Sequence, residues 1–280
     1  MTDEKQQAER SAHAESFDGL LLVGHGTRDA HGLNEARTLA RLTAKRLPGV
    51  AVQLCFLELA EPDISAGVAR LVDQGVRRLT VMPLLLFSAG HAKRDIPRQV
   101  EMAANHHPQL HVEMAGHLGL HPRVLELSAL RHRQTVSGAP PVAEQDTLLL
   151  LVGRGSRDDE SRDEMTQFAA LRRKEHESAV APVCFVAMSR PLLPEGLAEA
   201  ANSGKQRIVV QSHLLFAGEL VRRVSRHVND AAQRHGGLQW LVTQHLGAHE
   251  LLADAIVDIA GGNFTHSDNR AKKFASNCRI

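Results

Sequence analysis

The chain repeats itself, and two matched halves imply two copies of one fold. Gly24-His25-Gly26-Thr27-Arg28-Asp29 recurs as Gly153-Arg154-Gly155-Ser156-Arg157-Asp158, an offset of 153 − 24 = 129. Cys55-Phe56 recurs as Cys184-Phe185, and Phe87 as Phe216, at the same offset. After one deletion, His117-Leu118-Gly119 recurs as His245-Leu246-Gly247 and His121 as His249, at offset 128. The copies diverge where chemistry is carried. His25 becomes Arg154, and His91 of Gly90-His91 becomes Glu219 of Gly218-Glu219. The first half keeps a histidine pair that the second has lost, the pattern of a duplicated enzyme with one active half.

Each half alternates short apolar runs with helical periodicity. GLLLVG at 19–24 ends on a glycine and fits a strand buried on both faces. A helical pattern follows over 32–46, stopped by Pro48-Gly49. Strands are expected over 50–57, 78–86 and 110–115, with helices over 63–74 and 95–106 and from Pro122 onward. Residues 134–146, rich in Pro, Gly and polar residues, read as a linker. Strands near 147–152, 180–187, 206–215 and 238–243 repeat the order. The expected fold is α/β: two tandem domains, 18–133 and 147–262, each a four-stranded parallel sheet flanked by helices. Residues 1–17 and 263–280 read as disordered or flexible tails.

Composition narrows the partners. A net charge of +1 with no broad basic block argues against nucleic acid. No apolar run reaches the roughly 20 residues needed to span a bilayer, and the polar N-terminus to Phe17 does not read as a secretory signal. Cys55, Cys184 and Cys278 have neither zinc nor disulfide spacing. A cytoplasmic protein without a membrane partner is expected. Histidine is abundant, at 17 residues, and tyrosine is absent, so metal chemistry is to be weighed against histidines that merely sit on the surface.

Ligands of open α/β sheets bind beyond the carboxyl ends of the strands. His25 follows the first strand, Glu58 and Glu61 the second, and Ser88 and His91 the third. With a strand order of 2-1-3-4, Glu58, His25 and His91 would lie side by side. Two imidazoles and a carboxylate suit a divalent first-row metal with open positions, or general bases. A histidine after a buried strand can equally serve loop backbone groups, and Glu61 competes with Glu58. Arg28, Lys93 and Arg94 beside these histidines either face solvent or clasp substrate carboxylates. In the second half Arg154, Arg157 and Arg190 suit a positively charged wall of a cleft between the halves rather than metal ligation. The i, i+4 pairs His117/His121 and His245/His249 occur in both halves and read as capping and loop packing.

Val23-Gly24-His25-Gly26-Thr27-Arg28-Asp29, Phe56-Leu57-Glu58 with Glu61-Pro62, and Pro83-Leu84-Leu85-Leu86-Phe87-Ser88-Ala89-Gly90-His91 with Asp95-Ile96-Pro97 resemble the class II tetrapyrrole chelatases. Within that group the chain is similar to the long, two-domain sirohydrochlorin cobalto- and ferrochelatases over about residues 19–260. The resemblance implies two flavodoxin-like, chelatase-type halves facing across a cleft, and insertion of a divalent metal into an acidic cyclic tetrapyrrole. It maps the catalytic histidines onto His25 and His91 and the acidic metal ligand onto Glu58. Cobalt or ferrous iron would be the metal substrate, with nickel a further candidate, and no redox cofactor would be needed. Some relatives carry a histidine-rich stretch or an iron–sulfur motif; this chain has neither, as Cys278 stands alone. A duplicated chain is expected to work as a monomer. Two rival readings are a non-catalytic metal or tetrapyrrole carrier and a histidine-phosphatase-type phosphoryl-transfer enzyme. The latter lacks its usual adjacent arginine–histidine order, since Gly24 precedes His25.

Overall fold

A computed structural model describes residues 17–87, 90–174, 179–180, 182–262 and 264, without the side chains of 90–92 and 179–180. In the first repeat β1 (Gly19–Gly24), β2 (Ala51–Phe56), β3 (Arg78–Pro83) and β4 (His111–Met114) form one parallel sheet in the order β2-β1-β3-β4. β1 is central and buried along its whole length, as its unbroken apolar run requires. Its register sets Val23 between Cys55 and Pro83, so the three strands end together. Helices α1 (Ala30–Ala44), α2 (Ile64–Asp73) and α3 (Gly90–Ala104) connect them. Asp29 and Asp63 cap α1 and α2 by accepting from backbone N–H groups of Gly32 and Ala66, donors that no helix satisfies internally.

The second repeat matches this plan. β5 (Thr147–Gly153) is its central strand, flanked by β8 (Arg207–Ser212), which carries β9 (Gln239–Val242) on its outer edge. The single strand expected over 180–187 is broken into β6 (Ala179–Val180) and β7 (Cys184–Phe185), both paired to β5. Pro182 between them has no N–H to give the ladder, which accounts for the break. The two pieces fill one place in a four-position sheet. Helices α5 (Asp159–Lys174), α6 (Leu193–Ala201) and α7 (Glu219–Arg234) correspond to α1, α2 and α3. Cys55 and Cys184 face Gly67 and Gly196, where a Cβ would lie 2.9 and 2.7 Å from the cysteine Cβ. Burial pushes both thiols up to about 12, so they serve as packing rather than as nucleophiles.

The remaining helices, α4 (Pro122–Ser137) and α8 (Glu250–Ala260), are exchanged between the repeats. One compact unit holds the chain to His121 together with the chain from His249, and the other holds Pro122–Ala248. Domains expected at 18–133 and 147–262 follow the sequence repeat; packing follows a different division, and residues 134–146 lie inside the second unit. Polar contacts accompany the burial of each helix's apolar face. In the first unit Arg46 at the end of α1 bonds Asp254 at 2.6 Å and pairs with Glu250, both on α8. In the second unit Ser128 of α4 accepts from the buried Arg172 of α5 at 3.0 Å, and from Gln211 of β8 through its carbonyl at 2.8 Å. Arg131 of α4 donates to the carbonyl of Leu246 at 2.6 Å. Among the described residues no helix is long and apolar enough to cross a membrane.

Candidate active site

At the carboxyl end of the first sheet the parallel pairing runs past the last strand residues. Leu57 N–H donates to the Gly24 carbonyl at 2.9 Å, and Glu58 N–H to the His25 carbonyl at 3.1 Å. This backbone ladder places His25 and Glu58 side by side, with His25 Nε2 3.5 Å from Glu58 Oε1. Gly26 makes the approach possible. Its φ is +94°, and a Cβ there would lie 1.7 Å from the Glu58 carbonyl oxygen. Glu61 is turned elsewhere, accepting from Asp63 N–H at 3.2 Å in the turn that starts α2. The imidazole and carboxylate remain open to solvent, with side-chain exposures of 36% and 57%.

α3 starts earlier than expected, at Gly90 rather than 95, so His91, Lys93 and Arg94 belong to its first turn rather than to a preceding loop. Lys93 and Arg94 are exposed. Ser88 and the His91 side chain lie outside the described residues. Arg28 is exposed beside the half-buried Thr27, whose hydroxyl accepts from Asp29 N–H at 3.1 Å. Among the described residues no three histidine, cysteine, aspartate or glutamate side chains gather as a metal-binding group.

The second sheet presents the same backbone with other side chains. Ala187 N–H donates to the Arg154 carbonyl at 3.1 Å, and a Cβ on Gly155 would meet the Ala187 carbonyl oxygen at 1.7 Å. Glu58 thus corresponds to Ala187 (58 + 129) and Glu61 to Arg190 (61 + 129). Arg154 and Arg157 are exposed. Arg190 is paired with Glu195 of α6, whose carboxylate also accepts from Leu192 N–H at 2.7 Å. That backbone bond, and then Arg190, hold the Glu195 carboxyl below the usual range. Glu219, in the place of His91, pairs with Arg222 and Arg226, whose hydrogen bonds keep its carboxyl low as well.

A family model described as CbiX matches residues 19–135 and again 148–260. The chain belongs to the CbiX family. The sirohydrochlorin ferrochelatase of Priestia megaterium is 30% identical over 237 residues, covering 85% of this chain and 87% of that protein. A sirohydrochlorin cobaltochelatase of the same organism is 26% identical, over 83% of this chain and 76% of its own. Among solved structures, SirB from Bacillus subtilis with Fe3+ has a TM-score of 0.77 at 25% identity, covering 90% of this chain and 97% of that one. SirB in complex with cobalt gives 0.72 at 25% identity, covering 88% and 95%.

In this CbiX chain two features of the site were not anticipated from the sequence. Leu59 and Met188 both have left-handed φ, at +64° and +65°, a conformation that costs an L residue roughly 1–2 kcal/mol. Ser189 is the second: its hydroxyl accepts from Ser156 N–H at 3.0 Å and donates to the Ser156 carbonyl at 2.7 Å, where the first repeat has Ala60 (189 − 129). His249, one of the histidines expected to cap, accepts through Nδ1 from Leu251 N–H at 3.2 Å and caps α8. Its counterpart His121 is buried, 3.6 Å from Asp258 Oδ2 and edge-on to Phe264. Both histidines thus bind the α8 region of the first unit, in keeping with a capping and packing role.

Proposed function

We propose that the chain is a lyase, a sirohydrochlorin chelatase, which inserts a divalent metal ion into sirohydrochlorin on the way to siroheme or cobalamin. The observation that carries this reading is the His25–Glu58 pair, held 3.5 Å apart by a backbone ladder at the open end of a CbiX-type sheet. Cobalt and ferrous iron are the candidate metal substrates, after the activities and bound metals named for the relatives.

As the metal enters, the macrocycle loses two pyrrole N–H protons. A neutral imidazole at His25 can accept a proton, and the adjacent Glu58 carboxylate stabilises the imidazolium that forms. The same pair offers one nitrogen and one oxygen donor to the incoming ion, and leaves its other coordination positions open. His91, in the first turn of α3, is the second histidine and would accept the second proton. Glu61 is the weaker acidic candidate because it already serves the turn before α2. Arg28, Ser88, Lys93, Arg94, Arg154 and Arg157 are the groups that would take the substrate's carboxylates. Arg190 would have to leave Glu195 to join them. The metal keeps its valence, so the reaction calls for no redox partner.

The test is absorbance of sirohydrochlorin on addition of cobalt, ferrous or nickel ions with catalytic amounts of protein. Multiple turnovers support the chelatase. A single stoichiometric spectral change without turnover would make the chain a carrier.

A further inference from the structure

Among the described residues, the non-glycine residues with left-handed backbone are Leu59 and Met188. They are also two of the four large apolar side chains that stand exposed among the described residues, Leu59 at 51% and Met188 at 63%. They occupy one position of the repeat (59 + 129 = 188). Left-handed positions outside glycine favour asparagine and aspartate, which bond locally to the backbone. A leucine or methionine there gains no such bond, and its exposure forfeits the burial that would offset the strain. Around this position the repeats have diverged in charge: Glu58 against Ala187, and Glu61 against Arg190. A large apolar side chain is what both retain. Breaking the same local rule twice without gain to the fold marks a residue held for binding.

Leu59 directly follows Glu58, the partner of His25, and Met188 follows Ala187, whose N–H is bonded to Arg154. The left-handed turn tips each side chain out of its strand-end loop. Resting on the chelatase reading, we propose that Leu59, beside the polar groups that take the metal and the carboxylates, is an apolar contact for the flat face of the tetrapyrrole. A macrocycle with an apolar face and a charged rim calls for both kinds of contact. Polar groups alone would hold its edge without fixing the tilt of the ring.

The substitution Leu59→Asn separates this from a structural role, because asparagine suits left-handed backbone better than leucine. Binding of metal-free sirohydrochlorin is followed by absorbance, alongside urea unfolding. It should weaken binding roughly tenfold, about the value of burying half of such a side chain. The urea midpoint should stay or rise, and the dependence of rate on cobalt concentration should not move. Leu59→Met should bind as the parent does. Binding within twofold of the parent in Leu59→Asn overturns the proposal, as does a Leu59→Met variant as weak as Leu59→Asn. A parent that binds the macrocycle but never inserts metal refutes the chelatase reading and leaves this inference standing; a parent that does not bind it overturns both.

Discussion

The two sheet ends share a backbone and differ in chemistry. Gly26 and Gly155 have φ of +94° and +88°, and both are pressed against the carbonyl of the neighbouring loop. The bond from Glu58 N–H to the His25 carbonyl and that from Ala187 N–H to the Arg154 carbonyl are both 3.1 Å. On that common frame the first repeat places an imidazole and a carboxylate, and the second a guanidinium and a methyl group. The second also clasps its loop with Ser189, at a position where the first has Ala60. The backbone is therefore the means of projecting side chains from the strand ends, and the side chains decide what each end can do. Duplication supplied two frames, and divergence left the imidazole–carboxylate pair on one.

The sharpest way to break this comparison is to remove the imidazole. His25→Ala should lower the rate of cobalt insertion by about 10²–10⁴-fold, the usual contribution of a positioned general base. Its circular dichroism and urea midpoint should match the parent, since His25 lies in a half-exposed loop. Full activity in the folded variant would remove His25 from the mechanism. Next in size are the glycines. Gly26→Ala and Gly155→Ala meet the same 1.7 Å obstruction at positive φ, and each should destabilise by more than about 1 kcal/mol. Only Gly26→Ala displaces the His25–Glu58 pair, so its residual activity should be far lower than that of Gly155→Ala when both are assayed below their unfolding transitions. Equal activities would mean that the two ends contribute alike.

The repeat, the buried central strands and the strand-end positions of His25 and Glu58 were legible because each rests on short-range pattern: a glycine after an apolar run, and an offset that recurs. The exchange of α4 and α8 was not. Apolar periodicity says that a helix has a face to bury but not which sheet it covers, and the polar contacts made there, Arg46 with Asp254 and Arg172 with Ser128, join residues 208 and 44 apart in sequence. The break at Pro182 was readable in principle, since proline cannot donate in a ladder. The choice between Glu58 and Glu61 was open because both follow the same strand. The turn bond from Asp63 N–H to Glu61 had no signal in the sequence, since it depends on the path of the loop. The left-handed Leu59 and Met188 gave no signal, because leucine and methionine are not residues that announce positive φ.

A smaller effect tests the second frame. Arg154→Ala should raise the Michaelis constant for sirohydrochlorin by roughly tenfold and leave the rate at saturation nearly unchanged, since a group that binds substrate and transition state alike affects binding alone. Arg190→Ala should do less, because Arg190 is already paired with Glu195. The measurement is a full substrate titration of both variants. A loss of saturated rate in Arg154→Ala with an unchanged Michaelis constant would move part of the chemistry into the second repeat.

The least effect at neutral pH, and the most specific to one repeat, lies beneath the second sheet. There Arg172, Gln211 and His213 are buried with Ser128, and the His213 ring packs on Phe168 at 4.1 Å. Under the first sheet the corresponding residues are Thr43, Met82 and Leu84, each 129 lower in number, and all are buried. Burial, and then the charge of Arg172, push His213 from the ordinary value of 6.5 down to about 3. Between those values the unfolded chain holds a proton on this residue that the folded chain refuses. Stability from His213 is therefore fully present above about pH 6.5 and is lost as pH falls toward 3, by at most about 1.4 kcal/mol per pH unit. His213→Leu copies the first repeat's residue. Its stability should lie within about 2 kcal/mol of the parent at pH 7, with a shallower decline from pH 6 to 4.5 in urea unfolding curves. Because other titrating groups are common to both proteins, the difference between the two curves isolates His213. Curves that fall in parallel would mean that this histidine is already protonated in the folded protein.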